Sequence, residues 1–198
     1  MLPENQPAAK GLRGRFFCME KTFLALVKTN TMKSIVTMAV LCGLLLSVSA
    51  KAQDMEVPGT LPTTKEEFVK SEPDFIKAAQ WLEKTPIGTS TDKRKQMNGW
   101  VLAWITNSPT VTITVLAPLL KPFEKNPDLM IVFMGGYARY VLQNNYSKDE
   151  LKCNTAGMKS AVNCFNLGGD LKKDKNLSKV VDEDKDGKLE KWVEEAMK

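Results

Sequence analysis

From residue 71 onward, apolar positions recur mostly three and four residues apart, the spacing of a helix with one buried face. Ser71-Glu72-Pro73-Asp74 combines a hydroxyl cap, a first-turn proline and early acids, and predicts a helix start. Phe75, Ala78, Ala79 and Leu82 then share a face, and Pro86-Ile87-Gly88 predicts the stop. A separate short helix is expected over Lys65 to Lys70. Met97, Trp100, Val101, Trp104 and Ile105 predict the clearest helix, from Asp92 to Asn107. A Trp100/Trp104 face would suit sugar stacking, but large aromatics dominate core burial and the pair is read as core. Thr110 to Leu120 fits two patterns. Thr-Val-Thr-Ile-Thr-Val alternates like a strand, whereas Val111, Val115, Leu116, Leu119 and Leu120 fit a helix. With no strong partner strand to satisfy its backbone, the segment is read as helix.

Asn126-Pro127-Asp128 predicts the cap of a helix running to about Asn144, with Leu129, Met130, Phe133, Tyr137, Tyr140 and Val141 inward. Gly135-Gly136 at its centre costs about 1 kcal/mol per glycine against alanine, which predicts the close approach of a neighbouring helix; a ligand on bare backbone is the alternative. Ser147 with Glu150 reads as a capping box opening a helix to about Asn166. Its small residues, Cys153, Ala156, Gly157, Ser160 and Cys164, lie opposite Leu151, Thr155, Met158, Val162 and Phe165, so it should be sandwiched between neighbours. Leu177, Val180 and Val181 mark a short helix, and Leu189, Trp192, Val193, Ala196 and Met197 the last. No repeat of fixed period emerges. The expected fold is all-α, a compact bundle of about six helices.

The first third reads differently. Met32-Lys33, the apolar stretch Ile35 to Val48 and the small-residue site Ala50-Lys51-Ala52 make residues 32–52 a cleavable signal peptide, with the working chain beginning at Gln53. The apolar stretch is short of the roughly 20 residues of a membrane span. Cys42 lies inside it behind bulky Leu41, which argues against a lipoprotein site. Residues 1–31 are read as a spurious extension, with Met19 and Met32 as alternative starts, and 53–63 as a flexible tail before one helical domain over 64–198. Export places the protein in the periplasm or outside the cell.

That division changes the charge. The chain has 28 basic and 23 acidic residues, but seven of the former and two of the latter fall in 1–52, leaving 21 of each in 53–198. Phosphate binding rests on an excess of Lys and Arg, so a nucleic-acid partner loses its support. No histidine is present. Ser-His-Asp and Cys-His catalysis and His-ligated zinc are therefore excluded, and no phosphate-loop or nucleophile-elbow motif occurs. Cys153 and Cys164 stand eleven residues apart. On one helix that is about 16 Å, beyond the roughly 7 Å limit of a disulfide. Either the helix breaks between them or both are free; free, buried thiols are expected.

One segment carries candidate chemistry. Asp182, Asp184, Asp186 and Gly187 match positions 1, 3, 5 and 6 of an EF-hand loop, with Glu190 at position 9 as a further oxygen donor. The closing bidentate Glu is missing, because position 12 is Val193. The segment is thus either a weak calcium site made by Asp182, Asp184, Asp186 and Glu190 or an acidic turn supporting the last helix. The Lys172-Lys173-Asp174-Lys175 run is read as a solvated face.

Thr85-Pro86, Trp100-Val101-Leu102-Ala103-Trp104, Met134-Gly135-Gly136-Tyr137-Ala138, Ala156-Gly157 and Lys172-Lys173-Asp174-Lys175 resemble a group of small exported helical proteins of Bacteroidetes-type bacteria. The resemblance implies export and an all-helical fold and carries over no catalytic or binding residue. The expected function is non-enzymatic, through contacts with a partner protein, with no cofactor and no membrane span in the mature chain. A calcium module is the alternative, and a carboxylate enzyme a weaker one.

Overall fold

The structure, a computed structural model, describes residues 55–198. The extension, the signal peptide and its cleavage site lie outside the described residues. Among the described residues the fold is all-helical, with seven α-helices: α1 (Lys65–Lys84), α2 (Thr91–Asn107), α3 (Ala117–Leu120), α4 (Pro127–Gln143), α5 (Glu150–Asn166), α6 (Lys175–Lys185) and α7 (Leu189–Ala196). A 3₁₀ turn over Lys121–Phe123 follows α3. Among the described residues there is no strand, only a parallel bridge between Ile87 and Gly169, and no helix is long and apolar enough to cross a membrane.

The first expected pair of helices is one. α1 starts at a capping box: the Thr64 hydroxyl accepts from Glu67 N–H at 3.3 Å and Glu67 Oε2 from Thr64 N–H at 3.2 Å. It then runs straight through Pro73. Proline frees the carbonyl four residues earlier, Val69, and both residues are exposed, so water can take the freed group. Ser71 is therefore mid-helix. Its hydroxyl donates to Phe68 O at 2.8 Å and accepts Trp104 Nε1–H at 2.8 Å, which pins α2 to α1. Trp104 is fully buried, stacked on Phe75 with centroids 4.2 Å apart and edge-on to Phe68 at 5.5 Å. The tryptophan face is core.

The 110–120 segment is not the expected helix. Residues 111–116 have no regular structure, and only Ala117–Leu120 is helical. Val111 is buried and Ile113 and Val115 half-buried, while Thr112, Thr114 and Leu116 face out, the period-two pattern of an extended strap. Side chains, not a second strand, bond its backbone at Thr114. Tyr137 Oη accepts Thr114 N–H at 3.4 Å, and Asn154 Nδ2 donates to Thr114 O at 3.1 Å.

α4 and α5 make the most extensive helix pair, and α1 packs on both. Gly136 and Gly157 permit this. A Cβ on Gly136 would stand 2.6 Å from Ser160 Cβ, and one on Gly157 2.7 Å from Phe133 O, so the helices meet backbone to side chain. Gly135 faces Ala79 of α1 in the same way, at 3.3 Å. The α5 cap is shifted from Ser147 to Asp149, whose Oδ1 accepts Lys152 N–H at 3.1 Å. Ser147 Oγ instead accepts Asp149 N–H. Cys153 and Cys164 sit on one unbroken helix, both buried and unpaired. Met55 and Val57 pack against the core from the irregular stretch before α1.

Candidate functional site

The acidic segment is mostly helix. Asp174 opens α6 by accepting Asn176 and Leu177 N–H at 2.7 and 3.1 Å, and Leu177, Val180 and Val181 bury its apolar side. The helix continues through Asp182 and Asp184 to Lys185. Gly187, at φ +70°, ends it, with Lys188 N–H reaching back to Glu183 O at 2.8 Å. Continuous helix is what displaces the expected loop, and the acids go separate ways. Asp182 lies 3.7 Å from Lys185, Asp186 2.9 Å from Lys188, and Asp184 is bound by Lys159 of α5 at 2.7 and 2.8 Å. Glu190 is exposed in the first turn of α7. Asp182, Glu183 and Asp186 do share one shallow cleft of about 800 Å³ with Lys125, Lys173 and Lys179. Among the described residues, no three carboxylates or thiols converge as metal ligands.

A second cleft, of about 460 Å³, is assembled from separate parts of the chain: the α1–α2 turn, the start of α2, the start of α4 and the α5–α6 loop. The Ile87–Gly169 bridge and the bond from Asp170 N–H to Ile87 O at 2.8 Å tie the first of these to the last. Arg94 lies at its base, 4% exposed. The guanidinium donates to Thr85 O at 2.7 Å and Leu82 O at 3.1 Å, the orphan carbonyls of the last turn of α1, and touches Cys164 Sγ at 3.7 Å. The negative end of α1 thus compensates a cation that has no carboxylate partner among the described residues. Burial pushes the Cys164 thiol up, and Arg94 draws it partly back.

Two polar atoms of the residues around this cleft lie beneath its surface. Arg94 Nε and Asn98 Oδ1 are both buried and without a hydrogen-bond partner. The Asn98 amide donates to Asp128 Oδ1 at 3.1 Å, which fixes its orientation and turns its oxygen away from Asp128. The side chains of Lys95 and Asp170 also line the cleft and pair with no described residue. Ser90, at φ 49°, gives α2 no side-chain cap. Sequence reading missed this site because a lone arginine in an amphipathic helix reads as solvated; the faint signal is that Arg94 falls on the face of Met97 and Val101.

Tyr146 stands in the α4–α5 turn and reaches Glu72 of α1. It is 43% exposed and its backbone is left-handed, φ 54°, as is that of Asn145. Bulky residues adopt that region only where the surroundings enforce it. Its hydroxyl donates to Glu72 at 3.1 to 3.2 Å, and Glu72 also takes the Thr110 hydroxyl at 3.4 Å. Val69, one helical turn before Glu72, is exposed to the same degree. Comparison with known protein families, characterised proteins and solved structures finds no match.

Proposed function

We propose that this chain is exported through the 32–52 leader as a helical bundle that acts without catalysis, through contacts with a partner protein in the periplasm or outside the cell. The same reading includes its likeness to the exported Bacteroidetes-type group. The observation that carries it is Tyr146. An exposed tyrosine held in a strained backbone, with its hydroxyl fixed by Glu72, is a rigid amphipathic anchor of the kind enriched at interfaces. Val69, one helical turn from Glu72, is also exposed. The equal numbers of acids and bases after residue 52 favour a protein over a nucleic acid as the partner. The test is cross-linking in the native host, comparing the wild-type chain with Tyr146→Ala. Retention of one partner by the wild type and its loss from a variant of unchanged helicity supports the proposal. Recovery of the wild type always alone, with turnover of a small substrate, refutes it.

Calcium is the second reading, favoured by the cleft that Asp182 and Asp186 share. Binding there requires Asp184 to leave Lys159, or a site completed by Glu183.

A further inference from the structure

The 111–116 strap leaves one edge of its backbone unused. Six consecutive β-branched residues, Thr110 to Val115, favour an extended chain there, and burial alternates along it accordingly. In an extended chain, neighbouring residues turn their N–H and C=O groups to opposite edges. Thr114 turns both of its groups to Tyr137 of α4 and Asn154 of α5, so its edge lies against the bundle. Ile113 and Val115, on either side of it, turn theirs the other way. The backbone of neither bonds any described residue. Both residues are partly exposed, and water meets the groups that the protein does not.

An unpaired strand edge is a template for another chain, and folded proteins guard such edges with lysine, proline or a bulge. This edge has no guard. No charged residue occurs from Ser108 to Leu120, and Pro109 and Pro118 lie outside the strap. The charge pattern also narrows the occupant. A charged peptide would be desolvated here with nothing to answer its charges. An uncharged, β-branched, extended segment matches, and every further copy of this chain carries one. We infer that two copies of the chain pair their straps antiparallel, about a two-fold axis at Thr114. Ile113 of one copy then exchanges both backbone bonds with Val115 of the other, and the two-fold repeats the exchange. The exposed Thr114 side chains stand opposite each other, and exposed Thr112 stands opposite exposed Leu116. Tyr137 and Asn154 occupy the other edge, so pairing stops at two copies. A contact this short buries less than the roughly 1,200 Å² of stable interfaces, which makes the dimer weak and concentration-dependent. It goes beyond the partner-protein reading and uses none of its residues.

The experiment is sedimentation equilibrium of the full chain over a wide concentration range, for the wild type, Thr114→Lys and Thr114→Glu. The Thr114 side chain is exposed and makes no described bond, so each variant should keep the wild-type melting temperature. A reversible monomer–dimer equilibrium is expected for the wild type. Each charged variant, with like charges facing across the axis, should associate at least tenfold more weakly, and an equimolar mixture of the two should recover the dimer. Cross-linking gives the register. Residues opposite each other at such a position have Cα atoms about 4.5 Å apart, within disulfide reach. Thr114→Cys should therefore form a disulfide dimer under mild oxidation, whereas Thr106→Cys, exposed on α2, should not. A wild type that stays monomeric at its highest soluble concentration overturns the proposal. So do dimers that persist equally in both charged variants, or cysteines at 106 and 114 that cross-link alike. Loss of a native-host partner from the charged variants, with the wild type monomeric, overturns it in favour of that partner's strand.

Discussion

Replacing Gly136 by alanine adds one methyl group where α4 meets α5. The new carbon would stand 2.6 Å from Ser160 Cβ and 3.2 Å from Ala156 O. Carbon pairs settle at about 3.5–4.0 Å, so the helices must part by about 1 Å. Rotating Ser160 gives no relief, because its Cβ is itself in the way, and for the same reason Ser160→Ala will not rescue the variant. Overpacking of this kind typically destabilises by about 1–3 kcal/mol. Alanine returns about 1 kcal/mol through its better helix propensity. The net expectation is a loss of up to about 2 kcal/mol, or up to about 6 °C in melting temperature for a domain of this size. The control is Gly99→Ala. Gly99 is exposed on α2 with nothing within 4 Å of its would-be Cβ. There the propensity term acts alone and should stabilise by about 0.5–1 kcal/mol. Urea and thermal unfolding followed by far-ultraviolet circular dichroism give both numbers, compared at unchanged denaturant slope. If Gly136→Ala stabilises as Gly99→Ala does, α4 and α5 do not meet at this distance and the packing argument fails.

Hydrogen bonds from the backbone and hydroxyl of Thr63 and the backbone of Thr64 hold the Glu67 carboxyl below its ordinary range. A carboxyl depressed on folding adds stability that is complete above its unfolded value of about 4.3 and is lost as pH falls through the folded value. Stability of the wild type should therefore fall more steeply than that of Glu67→Gln between about pH 5 and 3, and parallel curves would refute the cap. Burial raises the thiols of Cys153 and Cys164. Iodoacetamide should leave both unlabelled in the native chain and label both in denaturant; rapid native labelling read by mass spectrometry would contradict their burial. Millimolar Ca²⁺ should leave the melting temperature unchanged, because Asp182, Asp184 and Asp186 each have their own lysine. Calcium at 100 times its dissociation constant adds about 2.7 kcal/mol, so a clear rise absent with Mg²⁺ would move the calcium reading to first place.

Apolar periodicity located most helices here because burial on one face is a local, repeating property. The stripe from Met97 to Ile105 is buried as its spacing predicts, and the glycines at 135 and 136 announced a close helix contact without naming the neighbour. Local polar rules did less well, and Asn126 shows why. It stands before Pro127 where a capping asparagine is expected, yet it makes no cap. Its amide donates to Lys172 O at 2.9 Å and accepts Lys172 N–H at 2.8 Å, clasping the α5–α6 loop. Ser71 and Asn154 bond their own helix and also reach α2 and the 111–116 strap, and Arg94 gives donors to the end of α1. A side chain able to satisfy its own helix can equally satisfy a distant backbone, and which it does depends on what the fold brings near. The 111–116 strap departs from the expected helix for that reason, since the groups that bond its Thr114 backbone come from Tyr137 and Asn154. The candidate cleft follows the same logic. Arg94 gives donors to the end of α1 and to Cys164 Sγ, and the four pieces of chain that meet around it are distant in sequence.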